Sequence, residues 1–181
     1  MLLVLTAHGT LDAYGTHRLH PCPTITGLLF GAMHRFIASG FGVGLIPSRL
    51  WKSDNGAGTF GAVLAAGMSL LWWERSWWVH GGVFALFACL SLWSARPFAE
   101  DHADPGWIVI DEMAGTFVAV IGLSGWPWLV AVLVARAADI FKVLPGVPQA
   151  ESLPGSVGIT MDDVVAGLYG LACGYAVWWI F

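Results

Sequence analysis

From residue 28 onward, apolar residues recur at three- and four-residue steps, the spacing that lines one face of a helix. Leu29, Phe30, Met33, Phe36, Ile37 and Phe41 share a side, with His34 and Arg35 opposite. Gly40, Gly42 and Gly44 loosen the pattern and Pro47 closes it, so this stretch predicts an amphipathic or half-inserted helix. The segment 48–58 is polar, with Arg49, Lys52, Asp54 and Asn55. Two uncharged runs follow, 59–73 and 77–95, separated only by Glu74, Arg75 and Ser76. They predict a helical hairpin with a tight turn. Residues 96–106 predict a charged loop. The stretch 113–135 has no charge, but Ser124-Gly125-Trp126-Pro127 breaks it into two shorter helices. A Pro- and Gly-rich loop is expected over 143–160, and a last apolar helix from about 163 to the end. Residues 1–26 show no periodicity and read as a flexible segment or a non-native start, leaving 27–181 as the domain.

Composition turns this run of helices into a class. Hydrophobic residues make up 57% of the 181 and charged residues 11%, with a mean hydropathy of +0.71. A soluble domain carries about 25% charged residues, so this chain cannot furnish an ordinary water-facing surface. The expected fold is all-α, a multi-helical bundle associated with a lipid bilayer. Eight Lys and Arg against twelve Asp and Glu give a formal charge of −4, which leaves no basic footprint for a nucleic acid. Cys22, Cys89 and Cys173 lack CxxC spacing and argue against a zinc site or a disulfide framework. Trp72, Trp73, Trp77 and Trp78 flank the hairpin turn, and Trp178 and Trp179 lie near the C-terminus, as interfacial anchors do.

If both predicted hairpins form, the polar residues return to one face. That face holds Arg49, Lys52, Arg96, Arg136 and Lys142, whereas the opposite turn holds Arg75. The positive-inside rule assigns the convergent face to the cytoplasm. The same face collects Asp111, Glu112, Asp139, Asp162 and Asp163. Helix capping accounts for Asp111 or Asp162 taken singly. An ion pair with Arg136 or Lys142, three residues to either side, accounts for Asp139. Together the acids ask for more. An acid at membrane depth costs about 2.5–3.5 kcal/mol on insertion scales and marks a site by default. Carboxylates gathered on one face repel and raise one another's pKa unless a cation joins them. An oxygen-only set with no histidine cluster suits a hard ion, Mg²⁺ foremost. Arg136 and Lys142 beside it suit a phosphate group.

Gly56-Ala57-Gly58-Thr59-Phe60-Gly61 enters a helix. Its glycines serve either close helix packing or the approach of backbone N–H groups to an anion. No GK[ST] follows, so it is not a P-loop.

These residues, in this order, resemble the phosphatidylglycerophosphatase A family. The matching stretches are 38–47 (Ala-Ser-Gly-Phe-Gly-Val-Gly-Leu-Ile-Pro), Gly58-Thr-Phe-Gly61 and Ile110-Asp-Glu-Met-Ala-Gly115. They continue with Arg136-Ala-Ala-Asp139-Ile-Phe-Lys142 and with 158–167, the paired-acid block ending Val-Ala-Gly. The resemblance implies an all-helical, Mg²⁺-dependent phosphatase of the bacterial inner membrane that converts phosphatidylglycerophosphate to phosphatidylglycerol. Asp111, Glu112, Asp139, Asp162 and Asp163 would hold the metal, one of them serving as general base. Gly58, Thr59, Arg136 and Lys142 would contact the substrate phosphate. The chain departs from the family pattern at Ala57, Val143, Val147 and Glu151. Two rival readings stand beside this one: a membrane scaffold or ion-binding protein with structural acids, and a related phosphatase acting on a soluble ester.

Overall fold

A computed structural model describes residues 10–11, 17–18, 25–99 and 105–180. Helices dominate: α1 (Ile25–Ala38), α2 (Ile46–Trp51), α3 (Ala57–Ser69), α4 (Trp77–Ser94), α5 (Ile110–Ala119), α6 (Gly125–Phe141), α7 (Val147–Glu151) and α8 (Ser156–Ile180). The described residues also include one two-residue antiparallel pair, Thr10–Leu11 with His17–Arg18. The reading of 1–26 as flexible falls largely outside the described residues. Among the described residues, two segments, Trp77–Phe98 and Ser156–Ile180, are long and apolar enough to cross a membrane, and a third exists if the bent pair Ile25–Ala38 and Val43–Trp51 counts as one span.

The α3–α4 hairpin and the break between α5 and α6 fall where the periodicity predicts them. Two boundaries differ, and α7 (Val147–Glu151) is a helix inside the stretch expected as a loop. Pro47 does not end a helix but sits in the first turn of α2, where its missing N–H costs nothing. What stops α1 is the run Gly40, Phe41 and Gly42, all at positive φ. The second difference is α8, which begins at Ser156 rather than near 163. Thr160 falls in the stretch expected as a loop and Asp162 and Asp163 at the edge of the expected helix, yet all three lie within α8 and are buried. Helix capping therefore does not explain Asp162 or Asp163, which lie well inside α8.

α5 forms the centre. Ile110, Met113 and Phe117 pack with Phe87 of α4 and Ile159 of α8. α8 lies against α5 and α6 along much of its length. Gly115 makes the α5–α8 approach possible, because a Cβ there would sit 2.6 Å from the Asp163 carbonyl oxygen. Across α4 and α8, the Ser91 hydroxyl bonds the Thr160 hydroxyl at 2.7 Å, and Thr160 donates to the Ser156 carbonyl at 2.9 Å. At the far end of the bundle, His80 accepts from the Gly122 N–H at 2.8 Å through Nδ1. Nε2 then carries the proton and donates to the Trp72 carbonyl at 3.0 Å, so one buried imidazole ties two turns together. Trp77, Trp78, Trp178 and Trp179 are exposed as bilayer anchors should be. Trp72 and Trp73 instead pack inward, against Phe117 and Trp128.

Candidate active site

Four segments meet at one end of the bundle. The first turn of α5 carries Asp111 and Glu112, held in place where the Val109 N–H donates to the Ala38 carbonyl at 2.9 Å. α8 brings Asp163, close to α5 because Gly115 has no side chain. The last turns of α6 carry Arg136 and Asp139, with Lys142 capping that helix at positive φ. The start of α3 adds Gly58, whose missing Cβ leaves room for the Glu112 carboxylate and the Arg136 guanidinium.

One carboxylate oxygen each from Asp111, Glu112 and Asp163 lies within 4.8 Å of the others. Asp111 is 1% exposed and Asp163 7%. Three acids this close and this dry repel one another and lack hydration. Burial pushes Asp111 above the ordinary carboxylate range, although the Glu112 backbone N–H donates to its Oδ1 at 3.0 Å. Glu112 is pushed well above that range, first by burial and then by the charges of Asp111 and Asp163. Its Oε2 is buried without a hydrogen-bond partner, as is Oδ1 of Asp162. Unpartnered buried carboxylate oxygens facing other carboxylates are the donor set a hard divalent cation satisfies.

The other two acids of the predicted set are held by the cations. Arg136 Nη1 donates to Asp139 Oδ2 and stands 4.0 Å from Glu112 Oε1, while its Nε has no partner. Lys142 Nζ donates to Asp162 Oδ2 at 2.9 Å and to Glu151 Oε1 at 2.6 Å. Burial alone would lower the Lys142 pKa, but these bonds outweigh it and hold the ammonium above the usual lysine value. The intrahelical pair foreseen for Asp139 thus exists, directly beside the three-acid cluster.

Of the predicted phosphate contacts, Gly58 is buried and Thr59 is exposed. The Ala57 and Thr59 N–H groups donate to the Asp54 and Gly56 carbonyls, and Gly58 packs directly against the Glu112 carboxylate and the Arg136 guanidinium. Glu151 was not foreseen as a site residue. Its signal was its charge, opposite to that of Lys142, at a position where the chain departs from the family pattern. Gly115 and Thr116 also line the small pocket formed by Glu112, Arg136, Asp139 and Asp163. Gly115 had a signal in closing the Asp-Glu-Met-Ala-Gly motif.

Fold and site together define a helical membrane protein with an acid-built centre able to hold a metal ion beside two cationic side chains. Residues 36–178 match the family described as phosphatidylglycerophosphatase A. The chain belongs to that family and is a phosphatase, a hydrolase of lipid metabolism. It is 29% identical over 146 residues to the Escherichia coli (strain K12) protein named phosphatidylglycerophosphatase A, covering 78% of this chain and 81% of the relative. A Haemophilus influenzae protein of the same name is 31% identical over 144 residues, 78% of this chain and 86% of its own length. A Bacteroides thetaiotaomicron protein named "Putative phosphatidylinositol-3-phosphatase" is 31% identical over 158 residues, 80% of this chain and 92% of its own. No solved structure matches the chain.

Proposed function

We propose that the protein is a Mg²⁺-dependent phosphatase of the bacterial inner membrane that hydrolyses phosphatidylglycerophosphate to phosphatidylglycerol and phosphate. The observation that carries this reading is the convergence of Asp111, Glu112 and Asp163, with an unpartnered Glu112 oxygen, next to Arg136. In this reading the three acids hold the ion, and Asp139 and Asp162 complete the set directly or through water. Bound there, Mg²⁺ supplies charge that polarises the phosphoryl group and acidifies a water. Arg136, with its free Nε, and Lys142 bind the phosphoryl oxygens by exchanging a carboxylate partner for the phosphate. One carboxylate of the set takes a proton from the attacking water as the water oxygen bonds to phosphorus, and the bond from phosphorus to the glycerol oxygen breaks with that oxygen taking up the proton. Gly58 keeps the start of α3 close enough to hold Arg136 in place, and Thr59 stands at the mouth.

The five cations Arg49, Lys52, Arg96, Arg136 and Lys142, against Arg75 at the other turn, support a cytoplasmic site. The residues 27–181 would carry the whole activity. The likeness to the Bacteroides protein favours a second reading, in which the headgroup is a phosphoinositide. Purified protein with Mg²⁺ in mixed micelles should release phosphate from phosphatidylglycerophosphate faster than from phosphatidylinositol 3-phosphate or glycerol 3-phosphate. Release no greater than that of an Asp162→Asn variant would overturn the proposal, and a preference for the inositol lipid would establish the second reading. In whole cells and inverted membrane vesicles, in a background lacking the native cysteines, impermeant labelling of a cysteine at Ser152 from the inner side only, and at Ser76 from the outer side only, checks orientation.

A further inference from the structure

A groove of about 370 Å³ runs between α3 and α6 and ends on Arg136. It shares Ala62 and Arg136 with the acidic pocket, so the two hollows lie side by side with Arg136 between them. Its α3 wall is Val63, Ala66 and Gly67, and its α6 wall is Trp128, Val132 and Leu133. On each helix these residues recur at three- and four-residue steps, hence on one face. Between Trp128 and Arg136 the helix rises about 12 Å, close to the ~15 Å depth of one leaflet of hydrocarbon. Trp128 closes the deep end, fixed by its indole N–H donating to the Ser69 hydroxyl at 2.9 Å and by its contact with Trp73. Val63 and Leu133 are largely exposed, so the groove opens sideways toward lipid.

We propose that this groove seats one acyl chain of the phosphorylated lipid whose headgroup is hydrolysed at the acid cluster, a reading that rests on the lipid phosphatase activity proposed above. Its two ends select the occupant. The walls are apolar from Trp128 to Leu133 and the groove finishes on Arg136, whose Nε has no partner. A hydrocarbon chain carrying an anionic phosphate matches both, whereas an apolar helix of a partner or a second copy would leave the guanidinium unmatched. Since lipid tails are as apolar as the groove, entry gains no hydrophobic free energy. What the groove provides is registration: with one chain lying along α6, the headgroup phosphate is delivered at Arg136.

Gly67 supplies the test, because a Cβ there meets no atom within 4 Å, so a larger side chain enters the groove without disturbing the fold. Gly67→Phe should lower kcat/KM for dioleoyl phosphatidylglycerophosphate about tenfold while leaving the dihexanoyl form within about twofold of wild type. An equal loss on both substrates, or none on either, would overturn the groove. Independently of turnover, a lipid phosphate with a diazirine in its acyl chain should label α3 and α6 near Val63 and Leu133. Excess phosphatidylglycerophosphate should suppress that label, and phosphatidylcholine should not. Label spread evenly over α4 and α8, or indifferent to the phosphorylated competitor, would overturn it as well. If wild-type protein releases phosphate from no lipid, the phosphatase reading falls while the labelling still decides the groove.

Discussion

Helices α4 and α5 pack against each other and obey opposite rules. α4 is 18 residues without a charge, yet Leu86 is 56% exposed and Trp77 and Trp78 more so. α5 is 10 residues with two acids in its first turn, and every residue except Glu112 is buried. Outside α5 and its flanks the buried apolar positions are mostly alanines, including Ala38, Ala65, Ala131 and Ala166, whereas Leu71, Trp126 and Trp179 face outward. In water this would be inside out. In lipid it follows from the solvent: burying a leucine gains nothing when the tails outside are equally apolar, so close backbone approach and satisfied polar groups decide what lies within. Hydropathy therefore marks where the protein touches lipid, and charge marks where the acids and cations gather inside it.

The contrast is sharpest in catalysis. Asp111→Asn, Glu112→Gln and Asp163→Asn should each lower turnover at least about a hundredfold, given the effect of disturbing even the outer partners of a metal centre. Asp139→Asn and Asp162→Asn should also reduce it strongly, and Leu86→Ala on α4 should leave it unchanged. Near-normal rates for three of the five acid variants in saturating Mg²⁺ would break the assignment of these residues to the centre.

Stability separates the helices by a smaller margin. Gly115→Ala forces a Cβ to within 2.6 Å of the Asp163 carbonyl oxygen, and overpacking of this kind costs about 1–3 kcal/mol. Leu86→Ala, facing lipid, should cost no more than about 0.5 kcal/mol. Thermal unfolding in detergent reads both, and equal melting temperatures for the two variants would remove the distinction between core and lipid face.

The smallest effect is that of pH. Asp111 and Glu112 have folded-state pKa values above their ordinary ones, so the folded protein without metal binds more protons than the unfolded chain. The stability they contribute is fully present below the ordinary carboxylate pKa of about 4 and is lost as pH rises through the raised folded values. Cation-free protein should accordingly melt at a lower temperature as pH rises from 4 toward neutrality. Mg²⁺ competes with those protons, so its stabilising increment should grow over the same range. A Mg²⁺ increment independent of pH would mean that the ion binds elsewhere.

Some of this was legible in the chain because it is local. A 3.6-residue hydrophobic period reports on neighbouring turns, and the α3–α4 hairpin and the α5–α6 break appear where it predicts them. The start of α8 was not legible, since Gly155, Gly158 and the polar residues around Asp162 carry the composition of a loop. Those residues form a helix because their small and polar side chains point into the protein, where Gly158 meets the backbone of Glu151 and Leu153.

By itself, the sequence determined a helical membrane protein, named its acids and cations, and carried motifs enough to place it in a phosphatase family. It could not divide the five acids. Only the tertiary structure decided that Asp111, Glu112 and Asp163 meet while Asp139 and Asp162 are held by Arg136 and Lys142. Only it opened the groove beside them. The reason is physical: which carboxylates share a space depends on how closely distant backbones approach, and that distance is set where Gly58 meets Glu112 and Gly115 meets Asp163. A glycine shows in a sequence, but the surface it lies against does not.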